Sequence, residues 1–282
     1  MSSGWSQRLV SRRNLLAGAV FAAAAPRAFA AIDRGDDVNE IVARGNLRFA
    51  MPRFATRPFF TDATGDESGL DVEMAHGLAA ALQVAPTFDR SATTFDDAVA
   101  RLAAGEADIA ICKLSRTLKR GRTIRYSQPY GVLHHGLITN RVRFAHIADG
   151  RPADDVVRDF NGEIGVIAHS AFAEFASTNF PNASIREFGD WSSMIDAVRD
   201  ETLDMAYRDD FEIKKLLVDD PSLTVVARSI TLTDKTDTLA IGIRPDASHL
   251  AAFADLYLDL ARNGVSVKTD EIIARYRADT GA

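Results

Sequence analysis

Short apolar runs alternate with helix-period segments along this chain, and the layout occurs twice. No other feature narrows the fold as much, because strands alternating with helices imply mainly parallel sheets with helices on both faces. In the first half, residues 47–51 read as a strand. Leu70, Met74, Leu78 and Leu82 lie four apart and predict one face of a helix over 70–82. Thr94 can cap a helix that turns Phe95, Ala98, Val99 and Leu102 inward and stops near Gly105. Residues 108–111 follow as a buried strand. In the second half, residues 165–167 form a short strand, and Ser170 can cap a helix through Phe172, Phe175 and Ala176. Asp190 can cap a helix carrying Met194, Ile195 and Val198, and residues 203–207 return to strand. Asp108 and Asp204 each open the strand that follows a helix. We read this as weak internal symmetry between two similar βα lobes; chance likeness of two ordinary βα units is the alternative. Residues 239–243 are again strand-like, and a helix over 248–262 closes at a left-handed stop, Asn263-Gly264. In such sheets ligands bind beyond the carboxyl ends of strands, so chemistry is sought just after Met51, Ile111, Ile167 and Tyr207.

The first thirty residues carry a different signal. Arg12 and Arg13 precede an apolar stretch over 17–25, and Ala28-Phe29-Ala30 offers small residues at both positions a signal peptidase reads. Residues 1–30 are therefore expected to be a signal peptide and are set apart from the fold. The arginine pair resembles the twin-arginine export signal, which carries proteins already folded; a general secretory signal with two incidental arginines is the alternative. No Cys lies near Ala30 to take a lipid anchor, and no later apolar run is long enough to span a bilayer. A soluble protein of the periplasm is expected. Cys112 is the single cysteine, so no internal disulfide can form and stability must come from the core. The 252 residues after Ala30 suit one large domain or two modest ones. Arg8, Arg12, Arg13 and Arg27 leave with the signal, which takes the net charge from −6 to −10. So acidic a chain, with no basic stripe, does not suit nucleic acid. The six histidines form no metal-like spacing, and neither metal nor cofactor is expected.

The loop after Ile111 reads Cys112-Lys113-Leu114-Ser115-Arg116-Thr117-Leu118-Lys119-Arg120. It offers hydroxyls at Ser115 and Thr117 and guanidinium groups at Arg116 and Arg120. An Arg holds a carboxylate through two parallel hydrogen bonds, and a hydroxyl can add a third. After Tyr207 comes Arg208-Asp209-Asp210, where a carboxylate could face a ligand ammonium. Together these make a clamp for a zwitterion.

Several ordered motifs resemble those of one family. Gly69-Leu70-Asp71-Val72-Glu73-Met74-Ala75 is similar to its Gly-Phe-Asp-Val-Asp-Leu-Ala. Phe95-Asp96 with Ala107-Asp108-Ile109-Ala110 resembles its aromatic-Asp and strand pair. Thr117 to Arg120, followed by Tyr126-Ser127-Gln128-Pro129-Tyr130, resembles its Thr-Pro-Glu-Arg and Phe-Ser-x-Pro-Tyr block. The family is that of the family 3 solute-binding proteins of bacterial ABC importers, binders of polar amino acids. The resemblance runs from about Leu47 to Tyr276. It implies a periplasmic-binding-protein-like α/β fold of type II, with two α/β lobes joined by two crossing strands. Lobe one would take residues 36–134 and 235–282, and lobe two residues 135–234. An amino acid or related small carboxylate would touch both lobes and close them, and an inner-membrane ABC permease would recognise the closed form. The protein would act as a monomer and would not be an enzyme.

By this resemblance Arg120 matches the arginine that grips the ligand carboxylate, and Ser115 the hydroxyl that assists it. Their alternatives are a surface Arg and a turn-forming Ser. Phe95 matches the aromatic wall against the ligand side chain, or is a core aromatic. Asp209 matches the ammonium-binding Asp, with Asp210 as the register alternative; Asp209 with Glu212 is also a capping-box pattern. Ser170 matches a Thr at a helix start that suits a carboxylate, or simply caps. Lys113 stands where a Gly or small residue is usual, close to the ligand. His169 and Ala171 also depart from the family pattern, and the segment 53–59 carries an extra residue, so either Phe54 is a second aromatic wall or Phe59 is core. Lys113 and Arg53 add positive charge, which would suit an acidic side chain or a dicarboxylate, unless both are solvated or salt-bridged. Two competing functions remain open at this point. One is a periplasmic enzyme resembling cyclohexadienyl dehydratases, with Lys113 or Glu212 transferring a proton. The other is an accessory or sensor module for a periplasmic partner, such as a quinoprotein dehydrogenase.

Overall fold

The computed structural model describes residues 37–61, 67–262 and 264–281. Chain contacts separate Met1–Arg34 from Gly35–Ala282, and every described residue belongs to the second part. The expected signal peptide and Asn263 of the expected left-handed stop lie outside the described residues.

Helix α1 (Asp37–Arg44) leads into strand β1 (Asn46–Pro52), followed by α2 (Leu70–Ala81), β2 (Ala85–Ala92), α3 (Phe95–Ala103), β3 (Ile109–Ala110) and the short α4 (Leu118–Gly121). The long β4 (Arg125–Asn140) passes to α5 (Arg141–Ala148), α6 (Ala153–Arg158), β5 (Glu163–Ile167), α7 (Ala171–Asn179), β6 (Ser184–Phe188), α8 (Trp191–Arg199), β7 (Met205–Asp209), α9 (Asp210–Asp219) and α10 (Leu223–Val226). The long β8 (Ala227–Ile243) returns the chain to α11 (Ser248–Arg262), β9 (Val267–Lys268) and α12 (Thr269–Thr280).

Local chemistry sets these boundaries. Thr94 accepts a hydrogen bond from Asp97 N at 3.0 Å and Asp190 one from Ser193 N at 2.9 Å, so both cap their helices as the sequence predicts. Helix α2 buries Met74 and Leu78 and half-buries Leu70, and Leu82 is buried just past its end, along the face that the spacing predicts. It is entered through Gly69 at φ +121°, where a Cβ would lie 2.4 Å from Phe59 O, so only glycine fits. Ser170 departs from expectation. It stands just before α7, but its Oγ turns back to donate to Ile167 O at 2.6 Å and caps nothing.

The described strands form one sheet in the order β2-β1-β3-β8-β4-β7-β5-β6, with β9 against β4. The expectation of mainly parallel sheets holds only for the flanks. β1 is parallel to β2 and β3, and β5 to β6 and β7. The β3/β8, β8/β4 and β4/β7 pairs are antiparallel. The physical reason is the chain path: it leaves the first half along β4 and comes back along β8, and two strands that cross in opposite senses can only pair antiparallel. The two strands feed separate cores. Leu133 and Leu239 belong to a cluster with Leu47, Phe49 and Ile109, whereas Leu137 packs with Phe144, Ile164 and Tyr207, and Ile138 with Met194 and Ile213. This is a fold of two α/β lobes joined by two strands.

The flanks mirror each other, and two aspartates show why. Asp108 is fully buried; it accepts from Arg48 N at 3.0 Å, pairs with Arg48 Nη2 at 2.9 Å and also holds Arg44. Asp204 accepts from Glu163 N at 2.8 Å and from Arg143 Nε at 2.7 Å. In each half, one carboxylate ahead of the third strand fastens the first through a backbone N–H and also holds a guanidinium, from β1 itself in one half and from α5 in the other. In Asp108→Ala, Arg44 and Arg48, about a third exposed, re-solvate, but Arg48 N–H is orphaned and the more buried Arg244 loses a carboxylate 3.8 Å away. The expected cost is about 2 kcal/mol. Thermal unfolding should show Tm lower by about 4–8 °C.

Candidate functional site

β3 and β7 run along β8 and β4 toward the middle of the sheet from opposite ends. Ile109 lies opposite Ile243 and Ser115 opposite Leu239, while Ala206 lies opposite Ile138 and Asp209 opposite His135. The loops that follow them therefore face each other. Between them is a cavity of about 40 Å³ lined by Phe95, Lys113, Ser115, Arg120, Ser170 and Asp209 among others. It adjoins a larger cavity of about 400 Å³, with which it shares Phe95, Ile167, Ser170 and Arg208. All six residues singled out in the sequence thus meet at one place.

Arg120 is held from two sides. Its Nε donates to Asp96 Oδ1 at 2.9 Å and its Nη1 to Ser115 O at 3.1 Å. Thr117 caps α4 by accepting from Arg120 N at 3.2 Å, which fixes where the Arg120 backbone starts. Tyr126 donates to Ser115 O at 3.3 Å. Phe95 stacks edge-on against Phe54, with ring centroids 5.4 Å apart, and Phe54 lines the larger cavity. Phe59 is fully buried against Phe211, so it is core.

Asp209 rather than Asp210 faces the cavity. Asp210 turns away, accepting from His134 N at 3.0 Å and from Thr269 Oγ1 at 2.7 Å. Asp209 caps α9 by accepting from Glu212 N at 3.0 Å. Only this half of the capping box forms, because the Glu212 carboxylate goes elsewhere. Lys113 Nζ donates to Asp209 Oδ2 at 2.7 Å and to Glu212 Oε1 at 3.1 Å, and Lys215 reaches Glu212 Oε2 at 2.9 Å. Lys113 also lies over the Phe59 and Phe211 rings, at 5.8 and 5.4 Å. Burial works against the Lys113 charge, but Asp209 and Glu212 outweigh it and hold its pKa above the ordinary lysine value. Burial would likewise raise Glu212, yet Lys113, Lys215 and Arg208 keep its carboxyl well below the usual range. Arg53 is exposed and lines neither cavity, so the expected second cleft cation is absent. Arg208 takes that place instead, 5.3 Å over the Trp191 ring.

Asp237, on β8, escaped the sequence reading. It is buried and accepts from Ser115 Oγ at 2.9 Å. Residues 234–238 alternate Asp, Lys and Thr and read as loop; only the pairing of Leu133 with Asp237 brings this carboxylate behind Ser115. Trp191 and Arg208 were missed for a similar reason, since their meeting depends on how α8 and β7 pack. Among the described residues no cluster of His, Cys, Asp or Glu is arranged to hold a metal, and no helix is long and apolar enough to cross a membrane.

Residues 51–151 match the family model of bacterial extracellular solute-binding proteins, family 3. The ancestral amino acid-binding protein AncCDT-1, a precursor of cyclohexadienyl dehydratase, superposes with a TM-score of 0.64 at 21% identity, over 85% of this chain and 98% of its own. The amino acid ABC transporter substrate-binding protein AbpA from Streptococcus pneumoniae, bound to L-arginine, gives 0.64 at 20% identity, over 85% and 98%. Holo ArgBP from T. maritima gives 0.60 at 17% identity, over 79% and 93%. Among curated proteins, membrane-bound lytic murein transglycosylase F 1 from Alkalilimnicola ehrlichii is 29% identical over 172 residues. That alignment takes in 57% of this chain, which spans about a third (32%) of the relative's length. The match over residues 51–151 agrees with the family that the motifs resemble, and the solved structures share the two-lobed fold.

Burial, then the Asp209 charge, push the Asp237 carboxyl up to about 7, against the pull of Lys113, Ser115 and Arg120. A folded-state value above the unfolded one means the folded protein binds the extra proton between about pH 4 and pH 7, so this group's contribution falls as pH rises through that window. Asp237→Asn should remove that slope. Urea denaturation across pH 4.5–8 should show the variant gaining on the parent with rising pH, by on the order of 3 kcal/mol at the top.

Proposed function

We propose that this protein binds a small carboxylate-bearing solute, an amino acid or a relative of one, in the cleft between its lobes, and hands it to an inner-membrane ABC permease. The observation that carries the reading is the convergence of Phe95, Lys113, Ser115 and Arg120 from one lobe with Ser170 and Asp209 from the other on one cavity. In this reading lobe one takes residues 36–134 and 235–282, and lobe two residues 135–234. The solute carboxylate sits on Arg120, in the cavity that Ser115 and Ser170 also line, and its body extends past Phe95 into the larger cavity. A solute that touches both lobes favours the closed form by its differential contacts, and closure strengthens each charge pairing by removing water. The arginine bound to AbpA and the amino-acid binding named for AncCDT-1 support this solute class. The protein acts in the periplasm, as a monomer, and the permease reads the closed lobes.

Binding without turnover is the better reading of the charged groups. General acid–base catalysis works best with a pKa near the working pH. Lys113 is held above the ordinary lysine value and Glu212 well below the ordinary glutamate value, so neither is poised to exchange a proton. Asp237 is poised near neutrality but does not line the cavity.

The test is thermal unfolding of the exported protein against a panel of amino acids and small organic acids. A solute that binds only the folded state must raise Tm. One class should do so, and Arg120→Lys, which loses the forked guanidinium, should weaken its affinity by about 10- to 100-fold. No shift with any member would overturn the reading.

A further inference from the structure

The hydrogen-bond inventory of the cleft is one-sided. Three acids line the two joined cavities: Asp190, Asp209 and Glu212. Asp209 accepts from Glu212 N at Oδ1 and from Lys113 Nζ at Oδ2. Glu212 holds Lys113 with Oε1 and Lys215 with Oε2. Asp190 accepts from both the N and the Oγ of Ser193 at the start of α8. A ligand ammonium brings three donors and needs acceptors, and every acid here already serves a donor of the chain. Two guanidinium groups are less fully engaged. Arg120 Nη2 is buried and lies 2.9 Å from Asp96 Oδ1, yet makes no hydrogen bond. Arg208 stands 3.9 Å from Asp209 and 3.8 Å from Glu212, too far to hydrogen-bond either.

We infer that the solute of this cleft is a carboxylate that carries no α-ammonium group, because Lys113 supplies that cation from within the chain. The inference rests on the binding reading above and names its ligand class. Lys113 Nζ lies between the two carboxylates that would otherwise receive a ligand ammonium. A ligand ammonium would add a cation where Lys113, Lys215 and Arg208 already outnumber Asp209 and Glu212, and could enter only by displacing Lys113. The carboxylate meets Arg120 Nη2, and the apolar body lies along Phe54, Phe95 and Trp191 in the larger cavity.

The experiment compares acids that differ only at the α-carbon. Phenylalanine is paired with 3-phenylpropanoate, leucine with 4-methylpentanoate, and glutamate with glutarate. Each is titrated by calorimetry into the full exported protein and into its Lys113→Met and Lys113→Arg variants. The deaminated member of at least one pair should bind the parent at least tenfold tighter than its amino partner. Lys113→Arg keeps the cation and should keep that preference, whereas Lys113→Met should shift it at least tenfold toward the amino acid. The parent comparison stands whether or not Lys113→Met folds. A parent that prefers the amino member overturns the inference and leaves the binding reading intact, as does a parent that binds nothing while Lys113→Met takes an amino acid. If no acid binds any of the three proteins, the binding reading itself falls.

Discussion

The antiparallel ladder between β4 and β8 runs from Arg125 opposite Ile243 to Asn140 opposite Ala227. Its two ends belong to different cores, so it ties the lobes by backbone hydrogen bonds as well as by chain connection. The ladder also decides where the cleft lies. Between His134 and His135 the register jumps from Thr236 to Leu232, leaving residues 233–235 outside the pairing. β3 and β7 approach this irregularity from opposite ends, each along one of the long strands. Their carboxyl ends therefore meet there, and the rule that ligands bind beyond strand ends acts from both lobes at once. Asp237, just past the jump, is carried behind Ser115 by the same geometry.

Charge then binds the two sides. Lys113 follows β3, Asp209 ends β7 and Glu212 lies in the first turn of α9, so their ion pairs cross the cleft. A second bond, from Lys119 N to Glu174 Oε1 at 3.2 Å, joins α4 to α7. A buried ion pair is a weak source of net stability, since desolvation offsets much of the attraction. Its value is in geometry: Lys113 is the cation hydrogen-bonded to the buried Asp209 and also reaches Glu212, so the two loops are held in one relation.

Much of this was legible in the sequence because it rests on local rules. The helices over α2, α3 and α8 follow from spacing and from Thr94 and Asp190 as caps, and the six cleft residues follow from motif order. The lobe symmetry was visible in Asp108 and Asp204, whose matching bonds to neighbouring strands are a local consequence of an acid at the same place in two βα units. What was not legible depends on distant pairing. β8 was read only over 239–243, because from Arg228 to Asp237 its residues are mostly exposed or half-exposed, with just Ile230 and Leu232 packed against a core. Its partnership with β4 made the sheet mixed instead of mainly parallel. Ser170 was misread because a hydroxyl before a helix has two carbonyl- or amide-directed choices, and here it bonds back to Ile167.

Lys113 shows how one residue can redirect the clamp of the proposed reading. Its backbone sits at φ +52°, in the left-handed region that glycine enters freely and other residues enter at a cost of about 1–2 kcal/mol. The motif resemblance expects a small residue there, which agrees with the backbone. A lysine at such a position must be held by its side chain. Two ion pairs, two aromatic faces and a backbone bond from Lys113 N to Asp71 Oδ2 at 2.5 Å do so. Those same contacts consume the acids of the second lobe while leaving the Arg120 side of the clamp in place. In the proposed reading the carboxylate half of the site is kept and its ammonium half is closed from within, so the inferred ligand matches the half that remains.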